Sequence, residues 1–182
     1  MTDELERRPP ARIDLRSVRF VDLTSTAMAA LLEDDLARAS AEAGVELTDY
    51  FLTDQAKWVW RYRVNQLALD PGSAGWLTRA VVAEPEGVVV GYAGFHGPPD
   101  EAGMVEIGYS VAPGYRRQGY ARTMLTELMR RAAAESGVRT ARVTISPENT
   151  ASLATISGFG FAEVGEQWDE MDGLELIFEV PV

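Results

Sequence analysis

The chain has 182 residues, an apolar content of 46 %, a net charge of −11 and no cysteine. That length is enough for a domain with a sizeable core, and the absence of thiols excludes disulfides, thiolate chemistry and thiolate metal sites. The acidic balance disfavours nucleic acid and anionic membrane as partners and favours cationic small molecules or basic peptide ends, although it also serves plain solubility. No apolar run approaches the roughly 20 residues needed to cross a bilayer. The start, MTDELERRPPAR, is charged and has no apolar signal core, so residues 1–12 read as a frayed tail ahead of a single domain over 13–182, and a cytoplasmic location follows as the default.

RSVRFVDL (16–23) alternates and predicts a first strand. Met28, Leu31, Leu32 and Leu36 recur at helical spacing and predict a helix from Thr26 to Ala43, stopped by Gly44, with Glu33, Asp34 and Asp35 on its solvated face. Over 49–69, Trp58, Trp60 and Tyr62 alternate as in a strand, but Ala56, Val59, Trp60, Val64 and Leu67 fit a helix over a longer window, and length favours the helix. Three strands with short turns come next, at 76–84, 88–97 and 104–111, and predict an antiparallel meander. Ala121, Met124, Leu125, Leu128 and Ala132 form one apolar stripe of a helix, with Glu127 and Arg131 paired on its wet face and Gly137 beyond its end. The strand at 138–145 then lies parallel to 104–111 through a helical crossover, a βαβ unit. A short helix at 149–158 and a hairpin turned at Met171-Asp172-Gly173 complete the order. The prediction is a mixed α/β fold: a central, mostly antiparallel sheet of seven strands, one parallel crossover and flanking helices.

The chemistry concentrates in YRRQGYAR (115–122), at the start of that crossover helix. A helix N-terminus offers unpaired N–H groups and the positive end of the dipole, a ready anion site. Gly119 lets the backbone approach a ligand, and Arg116, Arg117 and Arg122 add charge that phosphate oxygens accept. The stretch reads either as a pyrophosphate cradle or as an exposed loop with solvated arginines. It is neither a Walker loop nor a dinucleotide fingerprint, because G-x-x-x-x-G-K-[ST] and G-x-G-x-x-G are both absent.

With Arg116, Gly119 and Ala121 in place, the stretch resembles the [QR]-x-x-G-x-[GA] motif of the GCN5-related N-acetyltransferase (GNAT) superfamily. It follows a strand ending EIGYSVAPGY, and downstream ENTASLATISGFGF resembles the family's N-x-x-[AS]…GF segment at Asn149, Ser152, Gly160 and Phe161. The EIGY wording is most similar to the branch of ribosomal-protein N-terminal alanine acetyltransferases. The resemblance implies a GNAT-like fold and acetyl-CoA as donor, without a metal. It implies pantetheine contacts at Ser110 and Val111, and pyrophosphate contacts from the amides of Arg117, Gln118, Gly119, Tyr120, Ala121 and Arg122, with Arg116 beside them. Asn149 and Ser152 are further cofactor contacts by resemblance, while by their own chemistry Asn149 is a good helix cap and Ser152 can face solvent. The implied acceptor is a small-molecule amine or a peptide N-terminus, and a homodimer is compatible with the family.

Acetyl transfer to an ammonium requires loss of a proton to a base. Glu106 shares a strand face with Met104, Gly108 and Ser110, and the resemblance makes it the base, acting through water; the other reading is a cleft-rim carboxylate paired with an arginine such as Arg79. The Val111 amide is the implied oxyanion donor. Ile156 stands where many members carry a tyrosine acid; a thiol of pKa about 8.5 leaves with little help, and Tyr109 or water could serve. His96, the one histidine, reads as structural or as part of the acceptor pocket, as do Trp58 and Tyr62, whereas Trp60 reads as core. Two function classes stay open: an N-acetyltransferase, or a CoA-binding module without turnover. A nucleotide-binding regulator is a weaker third.

Overall fold

The computed structural model describes residues 16–171 and 173–182. The tail assigned to 1–12, the domain start at 13 and the turn residue Asp172 lie outside them. In chain order the elements are β1 (Ser17–Asp22), α1 (Ser25–Leu32), α2 (Leu36–Ala43), a 3₁₀ turn (Asp49–Leu52), α3 (Asp54–Leu69) and a second 3₁₀ turn (Pro71–Trp76). Next come β2 (Arg79–Glu84), β3 (Val88–Phe95), β4 (Met104–Val111), a 3₁₀ turn (Pro113–Tyr115) and α4 (Tyr120–Ala134). The chain ends with β5 (Thr140–Ile145), α5 (Thr150–Ile156), β6 (Ala162–Asp169) and β7 (Gly173–Pro181).

One predicted helix is two. The pattern over 26–43 breaks after Leu32, where Asp34 takes φ 62° and the Asp35 side chain accepts from the Arg38 amide to start α2. Asp tolerates the left-handed region and is a strong N-cap, so the acids that read as a wet face instead make the corner. They are also paired: Asp34 with Lys57 at 2.6 Å and Glu33 with Arg38 at 2.8 Å. On α4 the predicted Glu127–Arg131 pair does not form. Glu127 bonds Arg130 at 2.9 Å, and Arg131 turns inward to the Gly75 carbonyl and over the Trp76 ring.

The seven strands form one sheet in the order β1-β2-β3-β4-β5-β7-β6, antiparallel except for the β4–β5 pair. Two cores cover its faces. On one, Val81, Val90, Phe95, Val105 and Ile107 meet the α4 stripe of Met124, Leu125 and Leu128, with Ile156 from α5. On the other, Ala80, Val82, Val89 and Tyr92 meet Met28, Leu31, Phe51 and Trp60. Central strand β3 is buried on both faces beyond its first residue, so it reads as a continuous apolar run.

The feature that sets up the site is where β4 and β5 stop pairing. They are hydrogen-bonded only from Met104–Glu106 against Thr140–Arg142. Beyond that, β4 stays with β3 as far as Val111 opposite Gly91, and β5 stays with β7 as far as Ile145 opposite Leu176. The sheet therefore parts down its middle, and the residues of β4 from Ile107 onward edge a cleft.

Trp60 anchors the core on the α3 side of the sheet. It is fully buried, stacks on Phe51 at 5.5 Å and donates its indole N–H to the Phe51 carbonyl at 2.8 Å. Trp60→Ala should cost about 3–5 kcal/mol, lowering the melting temperature by roughly 6–20 °C at this chain size. The partly exposed Trp58→Ala should cost less than about 1 kcal/mol. Thermal unfolding followed by circular dichroism checks both.

Candidate active site

The cradle sequence folds as a turn into α4. After the 3₁₀ turn at Pro113–Tyr115, Arg117 adopts φ 59° and Gly119 φ 90°. The first α4 amide to find a backbone acceptor is that of Thr123, on the Gly119 carbonyl at 3.0 Å. Among the described residues nothing accepts from the six amides of 117–122. A Cβ built on Gly119 would meet no atom within 4 Å, so glycine is required there by its positive φ and not by crowding. Tyr120 is buried edge-on against Tyr115 and fixes the turn to the core.

The side chains around these amides are partly committed. Arg116 Nε donates to the Val111 carbonyl at 3.0 Å and ties the cradle to the end of β4. Arg122 donates to the Ser157 carbonyl at 3.2 Å and lies over the Phe159 ring. Gln118 turns back to the Gly114 carbonyl at 2.9 Å, while Arg16 caps the Gln118 carbonyl. Arg117 is exposed and makes no contact of this kind with a described residue. Ala121 follows Tyr120 in the first turn of α4.

Asn149 accepts a hydrogen bond from the Ser152 amide at 3.1 Å and caps α5, and its amide nitrogen bonds to no described residue. Ser152 and Thr155 lie beside the buried hydroxyl of Tyr109, which forms no well-shaped hydrogen bond. Burial pushes the Tyr109 hydroxyl's pKa up, and the neighbouring Ser152 and Thr155 pull it the other way. Ile156 is buried in the α4-side core.

The other face of β4 carries a polar cluster. Ser110 shares a short hydrogen bond with the Tyr50 hydroxyl, and Tyr50 stacks on Tyr92. Glu106 Oε1 accepts from Thr144 Oγ1 at 2.9 Å, across the point where β4 and β5 separate. Its other neighbour is His96, whose Nδ1 lies 3.4 Å from the same oxygen. The arginine reading for Glu106 does not hold at Arg79, which faces Asp22 at 4.0 Å and stacks on Phe20. Arg63 and Gln66 of α3 both donate to the His96 carbonyl, at 3.0 and 2.8 Å. Burial holds the His96 pKa below its ordinary 6.5; Glu106 opposes that shift and Arg63 adds to it. The room that Gly108 leaves is filled by this imidazole, since a Cβ there would lie 2.7 Å from His96 Nε2. The His96–Glu106 contact was missed from sequence because it depends on the β3–β4 register; the one hint is that Phe95 opposite Ile107 puts 96 opposite 106. Trp58 and Tyr62 stack on each other on the exposed side of α3.

The arrangement places a row of main-chain donors, uncommitted among the described residues, beside a split sheet and a carboxylate–imidazole contact. The family model for the acetyltransferase (GNAT) domain matches residues 12–162. The chain belongs to the GNAT acetyltransferase family.

Two relatives and one solved structure locate it further. The chain is 30 % identical over 95 residues to the uncharacterized N-acetyltransferase YjdG of Bacillus subtilis (strain 168), a stretch that is 52 % of this chain and 56 % of that protein. It is 36 % identical over 130 residues to L-2,4-diaminobutyric acid acetyltransferase of Streptomyces coelicolor, 66 % of this chain and 76 % of that protein. In fold it is similar to RimL, a ribosomal L7/L12 alpha-N-protein acetyltransferase solved with coenzyme A, with a TM-score of 0.61, 16 % identity and coverage of 91 % of this chain and 94 % of that one.

Gly119→Ala isolates the backbone requirement, because the methyl has room and only the positive φ penalises it. It should destabilise the fold by about 1–2 kcal/mol, read as a fall in the denaturant midpoint with unchanged slope.

Proposed function

We propose that this chain transfers the acetyl group of acetyl-CoA to a primary amine by direct attack in a ternary complex. The observation that carries the reading is the row of uncommitted amides at 117–122, opening beside the parting of β4 from β5. Six uncommitted N–H groups in the turn and first residues of α4, with the exposed Arg117 beside them, suit a diphosphate. The cleft edged by Ser110 and Val111 suits an extended pantetheine arm, with Asn149 and Ser152, at the start of α5, as further proposed contacts. When bound, acetyl-CoA supplies the activated thioester. The Val111 amide is the proposed donor to the carbonyl oxygen as it gains charge. The Glu106 carboxylate anchors the proposed proton-accepting side of the site, and the protonated Tyr109 hydroxyl is the proposed source of a proton for the departing sulfur.

The acceptor we propose is a small ammonium-bearing molecule, and a peptide N-terminus is the alternative within the same chemistry. The Streptomyces relative, an acetyltransferase of a diamino acid, supports the first, and the fold likeness to a protein N-terminal acetyltransferase supports the second. Burial of Ile156 in the core favours a competing reading, a CoA-binding module without turnover, because no tyrosine is available at that position.

Thiol release from acetyl-CoA, measured with 2,4-diaminobutyrate, spermidine and an alanine-started peptide, tests the proposal. Amine-dependent release with at least one is expected. Tight CoA binding without release for any amine would establish the module instead. Arg117→Gln should weaken CoA binding about tenfold, the value of one charge-assisted hydrogen bond, with the melting temperature unchanged; calorimetric titration measures the first and thermal unfolding the second.

A further inference from the structure

We propose that the imidazole of His96, and not a water molecule, takes the proton from the acceptor's ammonium group, with Glu106 behind it as a positioning residue. This rests on the reading of the chain as an amine acetyltransferase.

Three observations place the imidazole ahead of the carboxylate. The His96 amide donates to the Glu106 carbonyl at 2.8 Å, so the two residues sit opposite each other at the turn end of the β3–β4 hairpin. Nδ1 then faces Glu106 Oε1 at 3.4 Å, and Thr144 holds the same oxygen from β5 at 2.9 Å. A carboxylate held by Thr144 and facing Nδ1 favours the imidazole proton on Nδ1 and leaves Nε2 as a lone-pair acceptor. The ring is laid over Gly108, with Nε2 2.7 Å from where a Cβ would stand. Nε2 therefore sits two residues further along β4 than Glu106, towards Ser110 and Val111, where β5 has already left. No described residue hydrogen-bonds to Nε2.

The electrostatics suit the task. The charged groups facing the ring are Glu106 from β4 and Arg63 from α3, with neutral Thr144 from β5 and Gln66 from α3 nearby. Desolvation and Arg63 lower the His96 pKa and so favour the neutral ring, while Glu106 opposes that shift and stabilises the charge once a proton arrives. The His96 side chain is 44 % exposed, which gives that proton a way out.

The step balances as follows. The ammonium gives one proton to Nε2 and becomes a neutral amine. Its lone pair forms the C–N bond as the acetyl C–S bond breaks, with the electron pair leaving on sulfur. The second amine proton ends on the sulfur, and the imidazolium returns its proton to solvent.

His96 is the only histidine in the chain, so nitrogen–proton correlation spectra of tag-free protein report on it alone. Expected in the wild type is the Nδ1–H tautomer with a pKa below 6.5. In Glu106→Gln the pKa should fall further and the tautomer preference should be lost. In kinetics, His96→Gln should lower kcat/KM for the amine by about 10²–10³-fold, with acetyl-CoA affinity within twofold of wild type. The acid limb of the pH profile should disappear with it, and free imidazole should restore part of the rate to His96→Ala. The activity of the wild type should fall as pH drops through the His96 pKa, because the protonated ring can accept nothing. An Nε2–H tautomer insensitive to Glu106→Gln, or a His96→Gln variant with full rate and an intact acid limb, would overturn the proposal and return the proton to Glu106 through water. Absence of thiol release from the wild type would sink the acetyltransferase reading, and the spectra would still decide the His96–Glu106 pairing.

Discussion

The three-residue limit on β4–β5 pairing governs everything else in this molecule. Parallel strands normally run together for the length of the shorter one, because each unpaired backbone group in a sheet interior is costly. Here β4 and β5 share hydrogen bonds only as far as Glu106 and Arg142, and then each follows its outer neighbour. The backbone groups released on the inner edges of the two strands form a slot inside the sheet, a place where an extended ligand can be bound as a substitute strand. The α4 N-terminus lies at one end of that slot because only eight residues separate the end of β4 from the start of α4, which packs back against it.

The split also gives β4 two chemically different faces. Val105, Ile107 and Tyr109 point towards α4 and α5, where the core is apolar and Tyr109 meets Ser152 and Thr155. Glu106, Gly108 and Ser110 point to the other side, where His96, Thr144 and Tyr50 meet them. Strand alternation thus separates a face that shelters a hydroxyl from one that carries a carboxylate, within a single run of six residues. The α3-side core keeps that second face in register: Phe51, Trp60 and Tyr92 pack as an aromatic block, and Tyr50, adjacent in sequence, reaches Ser110.

Sequence legibility followed the length scale of the interaction. The α4 stripe and the β4 alternation are local patterns, and the structure has them where the spacing put them. Helix α3 was readable because its apolar spacing extends further than the Trp58–Trp60–Tyr62 alternation within it. The corner at Asp34 was not, because acids that cap and turn a chain look the same in sequence as acids on a wet face. In the site, the cradle's glycine and arginines were visible as a motif, but their commitments were not: Arg116 spends its Nε on the Val111 carbonyl and Arg122 lies on Phe159, contacts made by loops that only the tertiary fold brings together. The neighbour of Glu106 needed the hairpin register, and so His96 read as a lone histidine.

A chain of net charge −11 must still hold a polyanion if its site is a diphosphate cradle, and local arrangement resolves the conflict. No acidic residue occurs between Glu106 and Glu127, while Arg116, Arg117 and Arg122 fall in that interval. Glu127 lies two turns up α4 from Gly119, about 12 Å by helix geometry. At physiological ionic strength charges are screened over about 8 Å, so an anion at the first turn is governed by the amides and the nearby guanidinium groups far more than by the distant acids. The same screening leaves the wider acidic surface free to act on whatever approaches from outside, and that field favours cations. Donor and acceptor of opposite charge can therefore be served by one protein, the anion by short-range main-chain geometry and the cation by the overall field, provided the two meet only where the sheet has opened between them.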